Sequence, residues 1–128
     1  MEYARRYFKE VSAIAEQIDL AVIEKMVTQI EAAKAAHGRM FFLGVGGSAA
    51  NCTHAVNDFR KIGGMECYSP VDNVAEITAR TNDEGWHTVF APWLQCSNLS
   101  SQDIVFILSV GGGNREKNIS VNLIEALD

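Results

Sequence analysis

The sequence predicts an α/β protein built on a doubly wound parallel sheet, a three-layer Rossmann-like or flavodoxin-like arrangement, with two helices ahead of it. Two runs of β-type apolar residues each end in a glycine-rich turn. Met40-Phe41-Phe42-Leu43 runs into Gly44-Val45-Gly46-Gly47-Ser48, and Ile104-Val105-Phe106-Ile107-Leu108-Ser109 runs into Gly111-Gly112-Gly113-Asn114. Each turn is followed by a helical pattern, and strands alternating with helices are the signature of such sheets. Two amphipathic stretches fill the residues before the first run.

In the first stretch Tyr7, Phe8, Val11, Ile14, Ala15 and Ile18 recur at helical spacing, so one sticky face is expected. Asp19 has the chemistry of an N-cap for a second helix, which carries Leu20, Ile23, Met26, Val27 and Ile30 on one face. That helix is expected to stop at Gly38 as its left-handed terminal residue. A strand follows over 39–43. The next helix is read from Ser48 to Ile62, ended by Gly63-Gly64, and Met65–Ser69 is a short strand before Pro70. This makes a βαβ unit.

Between Val71 and Leu99 the pattern predicts short helices around Asn73–Arg80 and Trp86–Leu94, interrupted by Asn82-Asp83-Glu84-Gly85. The unbroken apolar run of the third strand predicts burial on both faces. Asn118 to Asp128 reads as a final helix with Ile119, Leu123, Ile124 and Leu127 facing a core. The organisation expected is a helical pair over 1–38 and an α/β core over 39–128. With three strands only, the sheet has an open edge that such domains pair or cover, so the domain is expected to be C-terminally incomplete.

A chain of 128 residues with 48% hydrophobic composition has the material for one folded core. Its formal charge of −5 and pI near 5.1 give no pull toward nucleic acid or an anionic membrane, so any phosphate must be gripped locally. Cys52, Cys67 and Cys96 are odd in number and lack CxxC spacing, which suits reduced thiols in the cytoplasm. No apolar run is long enough to cross a bilayer, and the N-terminal stretch lacks a signal peptide's apolar segment. The expectation is a soluble, cytoplasmic protein.

Glycines after a strand let the chain turn sharply and let an anion approach the amides and positive dipole end of a following helix. Both turns lie at carboxyl ends of strands, where open α/β sheets place ligands. Their spacing does not fit a dinucleotide fingerprint, and there is no GxxxxGK[ST]. A small phosphorylated ligand is therefore expected.

Three segments together resemble the sugar isomerase (SIS) domain family, and within it the phosphoheptose isomerases. They are Phe42-Leu43-Gly44-Val45-Gly46-Gly47-Ser48 with the following His54-Ala55-Val56-Asn57-Asp58-Phe59-Arg60-Lys61, then Thr81-Asn82-Asp83-Glu84-Gly85-Trp86, and Leu108-Ser109-Val110-Gly111-Gly112-Gly113-Asn114. The resemblance implies a five-stranded parallel sheet, of which three strands are present, and a tetramer with active sites shared between subunits. It implies interconversion of sedoheptulose 7-phosphate and D-glycero-D-manno-heptose 7-phosphate, on the route to bacterial surface heptose. Gly46, Gly47, Ser48, Ser109, Gly111, Gly112, Gly113 and Asn114 match positions that bind sugar and phosphate. Asp83 matches a position near the sugar hydroxyls, and is equally a turn or cap residue.

Aldose–ketose isomerisation moves a proton between neighbouring carbons, so it needs a base, an acid and stabilisation of an enediol-like charge. His54 and Asp58 are four apart on the helix after the first turn, so they share a face. They could be acid–base partners, two zinc ligands, or a plain exposed hydrogen-bonded pair. By resemblance Asp58 stands where the family has its catalytic glutamate, one methylene longer, and His54 where a histidine in some members binds zinc. No cofactor is required by that chemistry. The family's second catalytic group, a histidine, and a neighbouring glutamine belong to a later helical segment, so this polypeptide by itself is expected to be a poor or inactive isomerase. Arg115 and Lys117 would add charge at the second turn. The alternative reading is a non-catalytic module that binds a phosphosugar for regulation or assembly.

Overall fold

The computed structural model describes residues 1–128 and divides into two units, Met1–Ala32 and Ala33–Asp128. The first holds helix α1 (Glu2–Glu16) and most of α2 (Leu20–Ala35). Asp19 caps α2 as expected, its Oδ1 accepting the Ala21 N–H at 2.9 Å. The apolar positions of α1 are all exposed, and those of α2 nearly so.

Helix α2 does not end on a left-handed Gly38. His37 is the left-handed residue, with φ +57°, and its N–H returns to Lys34 O while the Gly38 N–H returns to Ala33 O at 2.8 Å. Those two bonds are the Schellman pattern, with His37 in the place glycine usually takes. Gly38 is glycine for a different reason: a Cβ there would run into the Gln102 carbonyl.

The second unit is a parallel three-stranded sheet in the order β2-β1-β3, with β1 at Met40–Gly44, β2 at Cys67–Tyr68 and β3 at Ile104–Leu108. Met40 pairs with Cys67 on one side and with Ile104 on the other, and the β1–β3 register continues to Gly44 opposite Leu108. The α/β class predicted from the sequence is the class observed. Burial on both faces belongs to β1, however, all five of whose residues are buried, and not to β3. An apolar run reports the strand's affinity for a core; position in the sheet decides whether both faces are covered, and β3 is an edge.

Helix α3 (Gly47–Lys61) covers one sheet face, where Phe42 meets Phe59 and Phe106 at ring distances of 5.4 and 5.5 Å. On the other face Phe41 and Leu43 pack with Val89, Phe90, Leu94 and Leu123. Val89 and Phe90 precede α5 (Ala91–Cys96), Leu94 lies in it and Leu123 in α6 (Val121–Glu125), with Ile77 of α4 (Val74–Asp83) packed against them. The helix expected from Trp86 to Leu94 is split into a 3₁₀ turn at Trp86–Thr88 and α5. Pro92 explains the break, since it lacks an N–H and fits only in a first helical turn. The last helix is also shorter than the expected Asn118 to Asp128. Asn114 and Ile119 form an antiparallel bridge, and left-handed Ser120 precedes α6. No helix is long and apolar enough to cross a membrane.

Candidate functional site at the carboxyl edge of the sheet

Because β1 and β3 are parallel neighbours in register, the two glycine turns leave the same edge of the sheet side by side, one strand spacing of about 4.8 Å apart at their origins. The first turn leads straight into α3. Gly44 lets it do so at close range, since a Cβ there would lie 2.8 Å from Ser48 O and 2.9 Å from Cys52 Sγ. Gly46 takes φ +61° as the residue before the helix, and both it and Gly47 face open space. Ser48 N–H turns back to Val45 O and Ala50 N–H to Gly46 O, while the amides of Gly46, Gly47 and Ala49 meet no acceptor of the chain. An unpaired first helical turn with the dipole's positive end behind it favours an anion. Gly44, whose tightness seats the helix, was read from the sequence as part of the turn but not as one of its site residues.

The second turn differs from expectation. No helix opens at Gly111–Gly113, so the backbone there lacks a dipole end. Ser109 Oγ donates to Gly112 O at 2.9 Å, closing its own loop. Asn114 exchanges backbone bonds with Ile119, and its Oδ1 accepts the Lys117 N–H at 2.8 Å. A Cβ on Gly113 would strike the Ile124 side chain, so this glycine serves packing. Gly111 and Gly112 alone face open space, Gly112 at φ +66°. Arg115 does not reach back to the turn, because Glu125 and Asp128 hold its guanidinium. The hydrogen bonds within 109–119 engage the Ser109 hydroxyl and the Asn114 side chain, while the amides of Gly111, Gly112 and Gly113 meet no acceptor of the chain.

His54 and Asp58 share an outward face of α3, with Nε2 3.2 Å from Oδ2. Asn57 Nδ2 donates to the other carboxylate oxygen at 3.0 Å, so both oxygens of Asp58 are held. The pair is open to water, with side-chain exposures of 77% for His54 and 46% for Asp58. Its separation is close to that of two vertices of a tetrahedral zinc, about 3.3 Å. No third His, Cys, Asp or Glu of this chain joins them, so the pair supplies two of the donors that a zinc site takes. Asp83 lies at the last residue of α4, its carboxylate accepting from Asn82 Nδ2 at 2.8 Å.

A third loop adds to the edge. Ser69 Oγ donates to Phe42 O at 2.8 Å, and Thr53 Oγ1 on α3 donates to Asp72 Oδ1 at 2.7 Å. These contacts pin the segment after β2 beside α3. Burial pushes the Cys52 and Cys67 thiols up from their ordinary range, as fits inert core cysteines rather than nucleophiles.

No protein-family model and no curated protein sequence matches the chain. Its fold recurs in solved structures. A phosphoheptose isomerase from Neisseria gonorrhoeae is 23% identical, with a TM-score of 0.83 over 98% of this chain and 66% of that one. A phosphoheptose isomerase from Francisella tularensis is 19% identical, with a TM-score of 0.84 and the same coverage. The chain thus spans 66% of the length of each neighbour. At these identities the likeness is one of fold.

Proposed function

We propose that the chain forms the phosphate-gripping part of a sugar-phosphate aldose–ketose isomerase, with sedoheptulose 7-phosphate as the substrate. The α3 N-terminus and Ser48 take the phosphate, Gly111 and Gly112 flank it, and the His54–Asp58 face handles protons. The observation that carries this reading is the parallel register of β1 and β3, Gly44 opposite Leu108, because it sets both turns on one edge. The fold of the two phosphoheptose isomerases supports the choice of reaction.

The spacing along α3 suits such a substrate. From Ser48 to Asp58 is ten positions, about 15 Å of helix rise. A seven-carbon phosphate spans roughly 9 Å from its second carbon to phosphorus, at about 1.3 Å per bond. A contact of about 3 Å at either end supplies the remainder.

In this reading Asp58 takes the proton from the carbon beside the carbonyl and returns it to the neighbouring carbon, while His54 exchanges a proton with the oxygens. Asn57 keeps one carboxylate oxygen engaged, which directs the other. An enediolate needs a drier setting than this open face offers, so we assign the cover to a second copy of the chain in a homo-oligomer, a tetramer by resemblance. Exposed Phe8, Val11, Ile14, Val22 and Val27 supply apolar surface for self-association. A phosphorylated sugar of this kind and three free cysteines both suit the cytoplasm.

The second reading, a phosphosugar-binding module without turnover, is favoured by the exposure of His54 and the short reach of Asp58. Titration with sedoheptulose 7-phosphate, and deuterium uptake into the bound sugar from D₂O, separate the two. The isomerase reading expects saturable binding weakened about tenfold by Ser48→Ala, and deuterium uptake abolished by Asp58→Ala with binding retained. Binding without uptake leaves the module; no saturable binding sinks both.

A further inference from the structure

On the β2 flank a groove of about 410 Å³ is bounded by Val56 and Arg60 of α3, Tyr68, Asp72, Asn73 and Trp93. That volume lies within the range of small-molecule sites. Its polar groups are mostly donors held in place by the fold. Arg60 Nη1 donates to Cys67 O at 3.1 Å, and the guanidinium stands over the Tyr68 ring at 5.5 Å. Arg60 pairs with no carboxylate of the chain. Carbonyl and ring thereby fix the plane of the guanidinium and leave its Nε–Nη2 edge, the edge that matches two oxygens side by side.

Two further donors line the same groove. Asn73 spends its Oδ1 on the Glu76 N–H at 3.2 Å, capping α4, so its Nδ2 is the group left to bind outward. Trp93, set edge-on against Phe41 at 5.6 Å, has an indole N–H that meets no acceptor of the chain. Asp72 is the one carboxylate present, with Oδ1 taken by Thr53. Its charge disfavours a dianion beside Arg60 and leaves a planar monoanion as the better match.

We infer that this groove is a second ligand site, in which Arg60 binds the carboxylate of a small molecule whose apolar body lies against Tyr68 and Trp93. It is independent of the sugar-phosphate reading, since it shares none of the residues assigned there.

The test is a ¹⁵N-resolved titration of the full chain with benzoate, acetate and inorganic phosphate at constant ionic strength, following the Arg60 Nε–H, the indole N–H groups of Trp93 and Trp86, and the Gly46 and Gly47 amides. Benzoate is expected to move Arg60 and Trp93 saturably, more tightly than acetate does, while Trp86 stays still. Arg60→Lys, which keeps the charge and loses the fork, should weaken benzoate about tenfold, and Arg60→Gln should abolish it with the rest of the spectrum intact. If Arg60→Gln disturbs the fold, Asn73→Ala gives the same readout and should weaken benzoate without touching the guanidinium. Shifts that never saturate, tighter binding of phosphate than of benzoate at Arg60, or benzoate binding unchanged in Arg60→Lys would overturn the site. Phosphate shifts confined to Gly46 and Gly47 report on the sugar-phosphate reading alone.

Discussion

Gly44 and Leu108 stand opposite each other at the ends of two adjacent parallel strands, and from that pair the two glycine turns depart in the same direction. The glycines of the first turn serve separable purposes. Gly44 seats the first turn of α3, whereas Gly47 faces open space with an unpaired amide.

Gly44→Ala is therefore expected to destabilise the protein by about 1–3 kcal/mol, because the atoms it would meet include a backbone carbonyl that cannot give way. Gly47→Ala should leave stability within about 0.5 kcal/mol and weaken sugar-phosphate binding by crowding the amide. Urea midpoints paired with titration of sedoheptulose 7-phosphate check both. Equal stability loss in the two variants would contradict the assignment.

Asp58→Glu tests the reach of the carboxylate. If the base is one methylene short of its optimum, the longer side chain should raise the rate of deuterium exchange by up to about 100-fold, the order that a 1 Å displacement costs. Sugar-phosphate affinity should stay put, since Ser48 lies about three helical turns away. A lower exchange rate in the variant would mean that the site is already fitted to aspartate.

Asp103, whose side chain is 2% exposed, accepts from Arg39 Nη2 at 2.7 Å, from the Arg39 backbone N–H at 2.8 Å and from Ser100. The Arg39 side-chain hydrogen bond, against the cost of burial, holds its carboxyl far below the usual carboxylate range. A carboxyl depressed in the folded state adds stability that is fully present above its unfolded pKa, about 3.9, and is lost as pH falls below it. Urea midpoints should accordingly drop in acid in the native chain. Asp103→Asn should lose on the order of 3 kcal/mol at pH 7 and show a flatter acid limb.

At the end of α2, His37→Gly should stabilise by about 0.5–1 kcal/mol, since φ +57° strains any residue with a Cβ. Gly38→Ala should cost more than about 2 kcal/mol through its collision with the Gln102 carbonyl. Thermal or urea unfolding of the two variants gives opposite signs if the helix end is assigned correctly.

Local chemistry was enough to read much of this molecule. Asp19 caps α2 because a short acceptor before an apolar period suits the orphan amides of a helix start. The first turn opens α3 because glycines between a β-type run and a helical period leave few other paths for the backbone. The His54–Asp58 contact follows from i,i+4 spacing alone. The second turn looks like the first in sequence but opens no helix, because Ile124 claims the space over Gly113 and Ile119 pairs with the backbone of Asn114. Likewise Gly38 invites a left-handed assignment until Gln102 is seen lying against it. Spacing along a chain determines which groups can meet their near neighbours, and those features were legible from the residues. Which strand is central, which glycine yields to a distant carbonyl, and which side of β2 presents a bare guanidinium edge depend on contacts between residues tens of positions apart, and only the packed structure decides them.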